Sequence, residues 1–466
     1  IALERMAGRH AFALLMEMRT GKTKTLLDDY GSLEAAGEVQ QLLVIAPGGV
    51  YHTWGDEIEK HISAELSARL KVHIWKSDIK SRRVHMQRQA FLQADGAKAL
   101  LMNVESISSV KAARDMAMAF AGAMPTMVAI DESTIIKSPD SIRTRFINRQ
   151  LAPKAHFRRI LSGLPTPKSP LDLYSQYEFL DPAILNHRSF YTFRSVYAIL
   201  QSMRFGGRQV QQVVGYRNAD HLRRLIDPWS YRIQLGDCYD LPAKIYMKRE
   251  VLLTEEQQRL YTDMKAYATT QLESGEHVTA TAVITQILRL HQIVCGHATD
   301  EMGNAHPISE NRTSELLEIL DEHNGKAIVW ASYNRDIRHI AQVLADKYGP
   351  LAVARFWGGN VDTRETEEDR FKNDPSCLFM VATAAAGGRG RTWDVADLVV
   401  YYSNTYNLEH RMQSEERAQA IGKCQSVAYV DLVAPGTVDE KIIAALRAKI
   451  NLASTINGDN FREWLI

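Results

Sequence analysis

Two short clusters in this sequence carry the residue types that handle phosphate esters. The first is MEMRTGKTKT, in which Thr20-Gly21-Lys22-Thr23 follows an apolar run and opens a stretch of helical character. Holding a polyphosphate takes inward-turned backbone N–H groups, a helix N-terminus behind them, a lysine for the outer oxygens and a hydroxyl for Mg²⁺. Lys22 and Thr23 supply the last two, while Lys24 and Thr25 read as ordinary first-turn residues. The full phosphate-loop pattern has glycine five positions before Gly21, where this chain has Met16, so the cluster does not decide the matter alone.

The second cluster is TMVAIDES, an apolar strand that ends in Asp131-Glu132. At the carboxyl end of a strand beside the lysine loop, Asp131 can hold Mg²⁺ through water, and Glu132 can orient and deprotonate the attacking water. An isolated Asp-Glu pair is equally a polar strand end. Placed downstream of a Gly-Lys-Thr in an alternating α/β stretch, it points to hydrolysis of a nucleoside triphosphate.

Positioning these groups takes parallel strands buried on both faces and joined by crossover helices. Two stretches have that rhythm. Over residues 11–180 the predicted strands are AFALLM, QLLVIAP, KALLMN, TMVAID and RRILSG; over 325–433 they are KAIVWAS, LAVARF, CLFMVAT, DLVVYYS and SVAYVDLV. Between them the rhythm breaks. Residues 189–232 mix helix with a predicted hairpin around Gly206-Gly207, and Leu241-Pro242 reads as a connector. Thr254-Glu255-Glu256-Gln257 has capping-box spacing and predicts a helix to about residue 272. Further helices are predicted over 280–294 and 437–456.

The order of these motifs is that of a known family. The sequence resembles the Swi/Snf-type branch of the superfamily-two helicases, the two-lobed DNA translocases, and especially their short phage and bacterial members. The resemblance is carried by EMRTGKT, VIAPGGVYHTWGDEIEKH, IDESTIIKSPDS, LSGLPTPKSPLDLYSQYEFLDP, AIVWASYN, ATAAAGGRGRTWDVADLVVYYSNTYN, QSEERAQAIGK and GTVDEKI. It implies an α/β fold of two tandem RecA-like lobes with parallel sheets, helical insertions and a C-terminal helix. The implied divisions are 1–183 for the first, ATP-binding lobe, 184–240 for an inserted protrusion and connector, 241–324 for a helical region and 325–466 for the second lobe.

The resemblance also implies ATP and Mg²⁺ as cofactors. Thr20, Gly21, Lys22 and Thr23 would hold the phosphates, Thr23 and Asp131 the metal, and Glu132 the water, with Gln413 and Arg417 sensing the γ-phosphate. The implied partner is double-stranded DNA, gripped by its phosphates without regard to sequence. Pro47, His52 and Trp54 follow a strand end where, in the family, a loop lies along one DNA strand. Ser106, Ser162 and Thr383 can contact phosphate oxygens without reading bases, and each also fits an ordinary turn. Arg204 and Arg208, in the chain's densest arginine stretch, fit either phosphate contact or a solvated face. A monomer in the cytoplasm of a bacterial or phage-infected cell is expected, with the host nucleus as the alternative.

The chain makes three departures from the family pattern. Leu164 replaces a threonine in Ser162-Gly163-Leu164-Pro165, Arg391-Thr392-Trp393 replaces Leu-Asn-Leu, and Ala420 stands where a second arginine follows Arg417 by three residues. The chain is therefore expected to be a DNA-stimulated ATPase that moves along duplex DNA. A strand-separating helicase, with the Gly206-Gly207 hairpin as its pin, and an ATP-gated clamp with impaired hydrolysis stay open beside it.

Composition agrees. With 56 Lys+Arg against 55 Asp+Glu the 466-residue chain is not coated in basic residues, which leaves DNA binding to a local groove. No apolar run approaches the ~20 residues that span a bilayer, and a membrane partner is not expected. The four cysteines are scattered without a Cys-x-x-Cys pair, in keeping with a reducing compartment. His291, Cys295 and His297 lie close together, yet a zinc site needs four ligands and no fourth is near in sequence. The first residue is Ile1, so a preceding segment is expected.

Overall fold

The computed structural model describes residues 1–457 except 49–50, 52, 77–81, 206–207, 241–242, 274–279, 301–303, 388–391, 421 and 424. The chain forms two compact units, one of 1–200, 213–240 and 452–459, the other chiefly of 241–451 with 201–212. In the first unit the strands are β1 (Ala11–Met16), β2 (Gln41–Ala46), β3 (Lys71–Ile74), β4 (Lys98–Asn103), β5 (Thr126–Ile130) and β6 (Phe157–Leu161). After them, β7 (Ala198–Phe205) and β8 (Arg208–Tyr216) pair as the predicted hairpin, and β9 (Ser230–Ile233) returns to the main sheet. That sheet is parallel throughout, in the order β3-β4-β2-β5-β6-β1-β9.

β1 and β2 are buried at every position. A parallel strand with helices over both faces has no wet side, so AFALLM and QLLVIA cannot alternate polar with apolar. Successive side chains still point to opposite faces. Leu43, Ile45, Val128 and Ile130 pack with Phe120 and Tyr177 on one side; Leu42, Val44, Met127 and Phe12 pack with Leu26 and Tyr30 on the other.

Among the buried polar residues of the sheet, Arg159 of β6 is wholly enclosed. Its Nε donates to Asp29 Oδ2 at 2.8 Å and its Nη1 to the His10 carbonyl at 3.1 Å. Burial pushes the Asp29 carboxyl up despite the facing guanidinium. Since Asp29 lies on the helix Lys22–Ala35, this pair ties the lysine-loop helix to β6.

The second unit holds β10 (Lys244–Glu250), a small antiparallel pair of β11 (His297–Thr299) and β12 (Ala305–Pro307), then β13 (Lys326–Trp330), β14 (Val353–Phe356), β15 (Phe379–Ala382), β16 (Ala396–Tyr401) and β17 (Val427–Val433). Its main sheet is also parallel, in the order β10-β17-β16-β13-β15-β14. The helix Glu255–Glu273 starts at the predicted box: Gln257 N donates to Thr254 Oγ1 at 3.2 Å, and Thr254 N donates to Gln257 Oε1 at 3.1 Å. Helices Ala280–Val294 and Val438–Asn457 stand where periodicity predicts them.

Beside the short pair β11 and β12, three strands of the main sheets were not legible in the sequence. KVHI (β3), SYRI (β9) and KIYMKRE (β10) lie at sheet edges, where half-exposed polar positions hide the apolar signature. Through β9, the stretch read as a protrusion contributes to the first sheet; through β10, the stretch read as helical contributes to the second. Among the described residues no helix is long and apolar enough to cross a membrane.

Candidate active site

The expected residues of the first unit leave one carboxyl edge of one parallel sheet, the edge where open α/β sheets take their ligands. Glu17–Gly21 follows β1, Pro47 follows β2, Ser106 lies just past β4, Asp131 directly follows β5 and Ser162 follows β6. In the order β2-β5-β6-β1, the β6 loop lies between the lysine loop and the Asp-Glu pair.

After β1 the chain turns through Arg19 at φ 66° and Gly21 at φ 90°, the latter a conformation that glycine alone adopts without strain. Thr20 Oγ1 closes the turn by donating to the Glu17 carbonyl at 2.8 Å. Gly21 then heads a 14-residue helix with no side-chain cap, so the first-turn N–H groups remain for an anion. Lys22 Nζ donates to the Met16 carbonyl at 2.7 Å across the mouth of this turn. A Cβ placed on Gly163 would lie 3.8 Å from Lys22 Nζ and 3.6 Å from the Met16 oxygen, so the β6 loop packs directly on the lysine loop. Uncapped amides, an ammonium and the Thr23 hydroxyl make a donor set that fits a polyphosphate with Mg²⁺.

Asp131 is buried, with 8% of its surface exposed. Its Oδ1 accepts from the Glu132 N–H at 2.9 Å and its Oδ2 from Trp54 Nε1 at 3.0 Å, so donors orient both oxygens. Glu132 has left-handed backbone, φ 47° and ψ 61°, and the chain passes at once into the short helix Ser133–Ile136. Such a conformation costs a non-glycine residue about 1 kcal/mol and persists where its surroundings over-determine it.

The expected DNA contacts fare differently. Trp54 is buried and turns its N–H onto Asp131 instead of out to a phosphate. Ser106 and Ser162 are also buried, and Pro47 is covered, its carbonyl accepting from Tyr51 N at 3.1 Å. Pro47 and Ser162 directly follow strands, while Trp54 and Ser106 lie on the helices Thr53–His61 and Val104–Ser109 that come after β2 and β4, each with its side chain buried. His52 lies outside the described residues, as do the side chains of Arg204 and Arg208. In the second unit, Thr383 follows β15 and lines a cavity of about 60 Å³ together with Ser332, Ser403 and His410.

Gln413 belongs to the helix Leu408–Glu415, and Arg417 is fully buried two residues beyond its end. Because the helix ends at Glu415, Arg417 and Ala420 do not share a helical face. Arg411, one of three arginines able in principle to stand in for Ala420, is held inside the second unit. It donates to Glu415 Oε1 at 2.7 Å, Asn404 Oδ1 at 2.7 Å and Asp431 Oδ2 at 3.0 Å, and its guanidinium lies 3.5 Å from the centre of the Tyr401 ring. The other two, Arg389 and Arg391, lie outside the described residues.

The His/Cys cluster has protein partners. His291 Nδ1 is 2.8 Å from the Tyr333 hydroxyl and its Nε2 is 3.5 Å from Asp439; burial pushes its pKa down to about 4. His297 Nδ1 is 3.3 Å from Asp336.

The family model described as "SNF2-related domain" matches residues 5–299, and that described as "Helicase conserved C-terminal domain" matches 311–424. The chain is 23% identical over 379 residues to the TATA-binding protein-associated factor MOT1 of Saccharomyces cerevisiae, covering 70% of this chain and 20% of that protein. It is 24% identical over 453 residues to the DNA annealing helicase and endonuclease ZRANB3 of Homo sapiens, covering 95% of this chain and 38% of that protein. It thus spans 20% and 38% of the lengths of these two relatives. A solved structure, the Sulfolobus solfataricus SWI2/SNF2 ATPase core in complex with dsDNA, is 22% identical over 98% of this chain and 91% of that chain, with a TM-score of 0.40.

Proposed function

The chain belongs to the SNF2-related family, and from that premise we propose that it is a DNA-stimulated ATPase that moves along double-stranded DNA. The observation that supports this best is the convergence at one sheet edge of an uncapped helix N-terminus, Lys22 and a carboxylate oriented by two donors. Bound Mg·ATP supplies the phosphoanhydride whose cleavage drives the cycle. Lys22 exchanges a neutral carbonyl for an anionic phosphate oxygen, a stronger, charge-assisted contact. Thr23 and Asp131 would hold the metal. Glu132 takes the proton of the attacking water. Phosphate contacts grip the duplex, so that stepping ignores sequence.

The test is ATP hydrolysis measured in parallel with no nucleic acid, duplex DNA, single-stranded DNA, branched DNA and RNA. Duplex-containing DNA should stimulate most; stimulation by RNA or single strands alone would overturn the reading in favour of a strand-separating enzyme. A second reading, a clamp that closes on ATP but turns over slowly, is favoured by Ala420 together with the engagement of Arg411 inside the second unit. An arginine aimed at the transferring phosphoryl group is worth about 10³–10⁵ in rate. Ala420→Arg should therefore raise hydrolysis at saturating DNA tenfold or more. An unchanged rate would show that another residue already fills the role.

A further inference from the structure

The step from the Asp131-Glu132 strand end to the β6 loop is made by buried polar side chains that the phosphate chemistry does not use. Ser133, directly after Glu132, is wholly buried, and its Oγ donates to Gln176 Oε1 at 2.6 Å. Gln176, also wholly buried, lies on the helix Leu173–Leu180. Its Nε2 donates to the Pro165 carbonyl at 2.7 Å and to the Asp172 carbonyl at 2.8 Å. Pro165 closes Ser162-Gly163-Leu164-Pro165, whose Gly163 packs on Lys22 and Met16. One amide thus joins the residue after Glu132 to the loop that rests on the lysine. Asp172, one turn before Gln176, secures the far end of the same loop by accepting from Lys168 N at 2.8 Å and Ser169 N at 3.2 Å.

Three features argue that this bridge does more than fill space. An unmade hydrogen bond in the interior is costly, so a buried amide satisfied at both ends fixes the distance between its partners. Leu164 has no polar group with which the loop could make the same link, and its side chain is buried. Glu132, held in left-handed backbone, is joined on its C-terminal side to a residue that only Gln176 anchors among the described side-chain contacts of Ser133.

We propose that Gln176 is a positioning residue for the hydrolytic step: through Ser133 it sets the placement of Glu132 relative to the lysine loop. This rests on the reading of Glu132 as the group that acts on water. Gln176→Leu keeps the volume and removes both links, while Ser133→Ala removes one link with a smaller change. Each variant should lower kcat for ATP about tenfold and leave the affinity for Mg·ATP within twofold of wild type. In a double-mutant cycle the pair should fall no further than the worse single variant, because both break one bridge.

The measurements are steady-state hydrolysis at saturating duplex DNA, equilibrium binding of a fluorescent ATP analogue with Mg²⁺, and thermal unfolding of each variant. If Gln176→Leu fails to fold, Ser133→Ala carries the test alone. Wild-type kcat in the soluble variants overturns the inference. So does a parallel loss of affinity, kcat and thermal stability, which a merely structural residue would give. Glu132→Gln separates this from the underlying reading: undiminished hydrolysis in that variant overturns the role of Glu132 itself, and the inference with it.

Discussion

Trp54→Phe separates the two roles that the residue's position allows. Its place in the sequence suggests DNA contact; its place in the fold makes it the donor to Asp131 Oδ2 at 3.0 Å. The substitution keeps a six-membered ring in the buried site and removes the indole N–H. A hydrogen bond to an ionised group contributes about 1.5–3 kcal/mol, and the smaller ring forfeits about 1 kcal/mol more of buried surface. The fold should therefore lose roughly 3 kcal/mol in all, visible in urea unfolding. If about 1.4 kcal/mol of the lost orientation appears in metal binding, Mg·ATP affinity falls tenfold. Repeating the substitution in an Asp131→Ala background should cost only the packing portion, since the acceptor is already gone. Binding of a fluorescent ATP analogue and anisotropy with labelled duplex, run on the same preparations, decide the case. A tenfold loss of DNA affinity with Mg·ATP affinity unchanged would refute the structural reasoning and return Trp54 to the DNA surface.

Lys22→Ala should abolish hydrolysis while leaving the fold intact, because it removes the ammonium that reaches across the mouth of the β1 turn; retention of more than about a tenth of the rate refutes its role. DNA affinity should fall by orders of magnitude between low and moderate salt and differ less than about tenfold between unrelated duplexes, as competition titrations can show. Asp29→Asn should destabilise the first unit by about 3–5 kcal/mol by stranding the buried Arg159, read by chemical unfolding against wild type. His291 has a folded pKa of about 4 against an unfolded value of 6.5, so the unfolded state binds the extra proton between them. Stability should fall as pH drops from 6.5 towards 4, by up to about 3 kcal/mol from this residue, and His291→Gln should flatten that slope in melting curves.

The central strands could be read directly because their burial leaves no freedom of composition. AFALLM, and the LLVIA and ALLM that follow Gln41 and Lys98, lie between neighbours and under helices on both faces, which favours continuous apolar runs. SYRI and KIYMKRE meet a weaker requirement. At an edge, half of the backbone and much of the side-chain surface stay wet, so Arg232, Lys244 and Lys248 are tolerated and the pattern dissolves into the surrounding polar sequence. Arg159 is the opposite case, a charge in a central strand, which is accommodated because Asp29 faces it from a helix far away in the chain.

The site divides along the same line. Lys22, Thr23, Asp131 and Glu132 are legible because phosphate and metal chemistry dictate both residue type and strand-end position. Trp54 and Ser106 lie on the helices that follow β2 and β4, and Ser162 directly follows β6, but sequence does not say which way such a side chain turns. That is decided by the segment packed above it, and here packing turns the indole inward onto Asp131. Gln176 is further from reach still. Nothing in YSQYEFL distinguishes its amide from a surface glutamine, since the helix buries nearly every position and the partners, Ser133 and Pro165, come from two other loops. Strand order makes the link necessary. With β6 between β5 and β1, any constraint joining Glu132 to the lysine loop has to pass through the β6 loop, and a side chain long enough to bond on both sides of it is what the fold supplies.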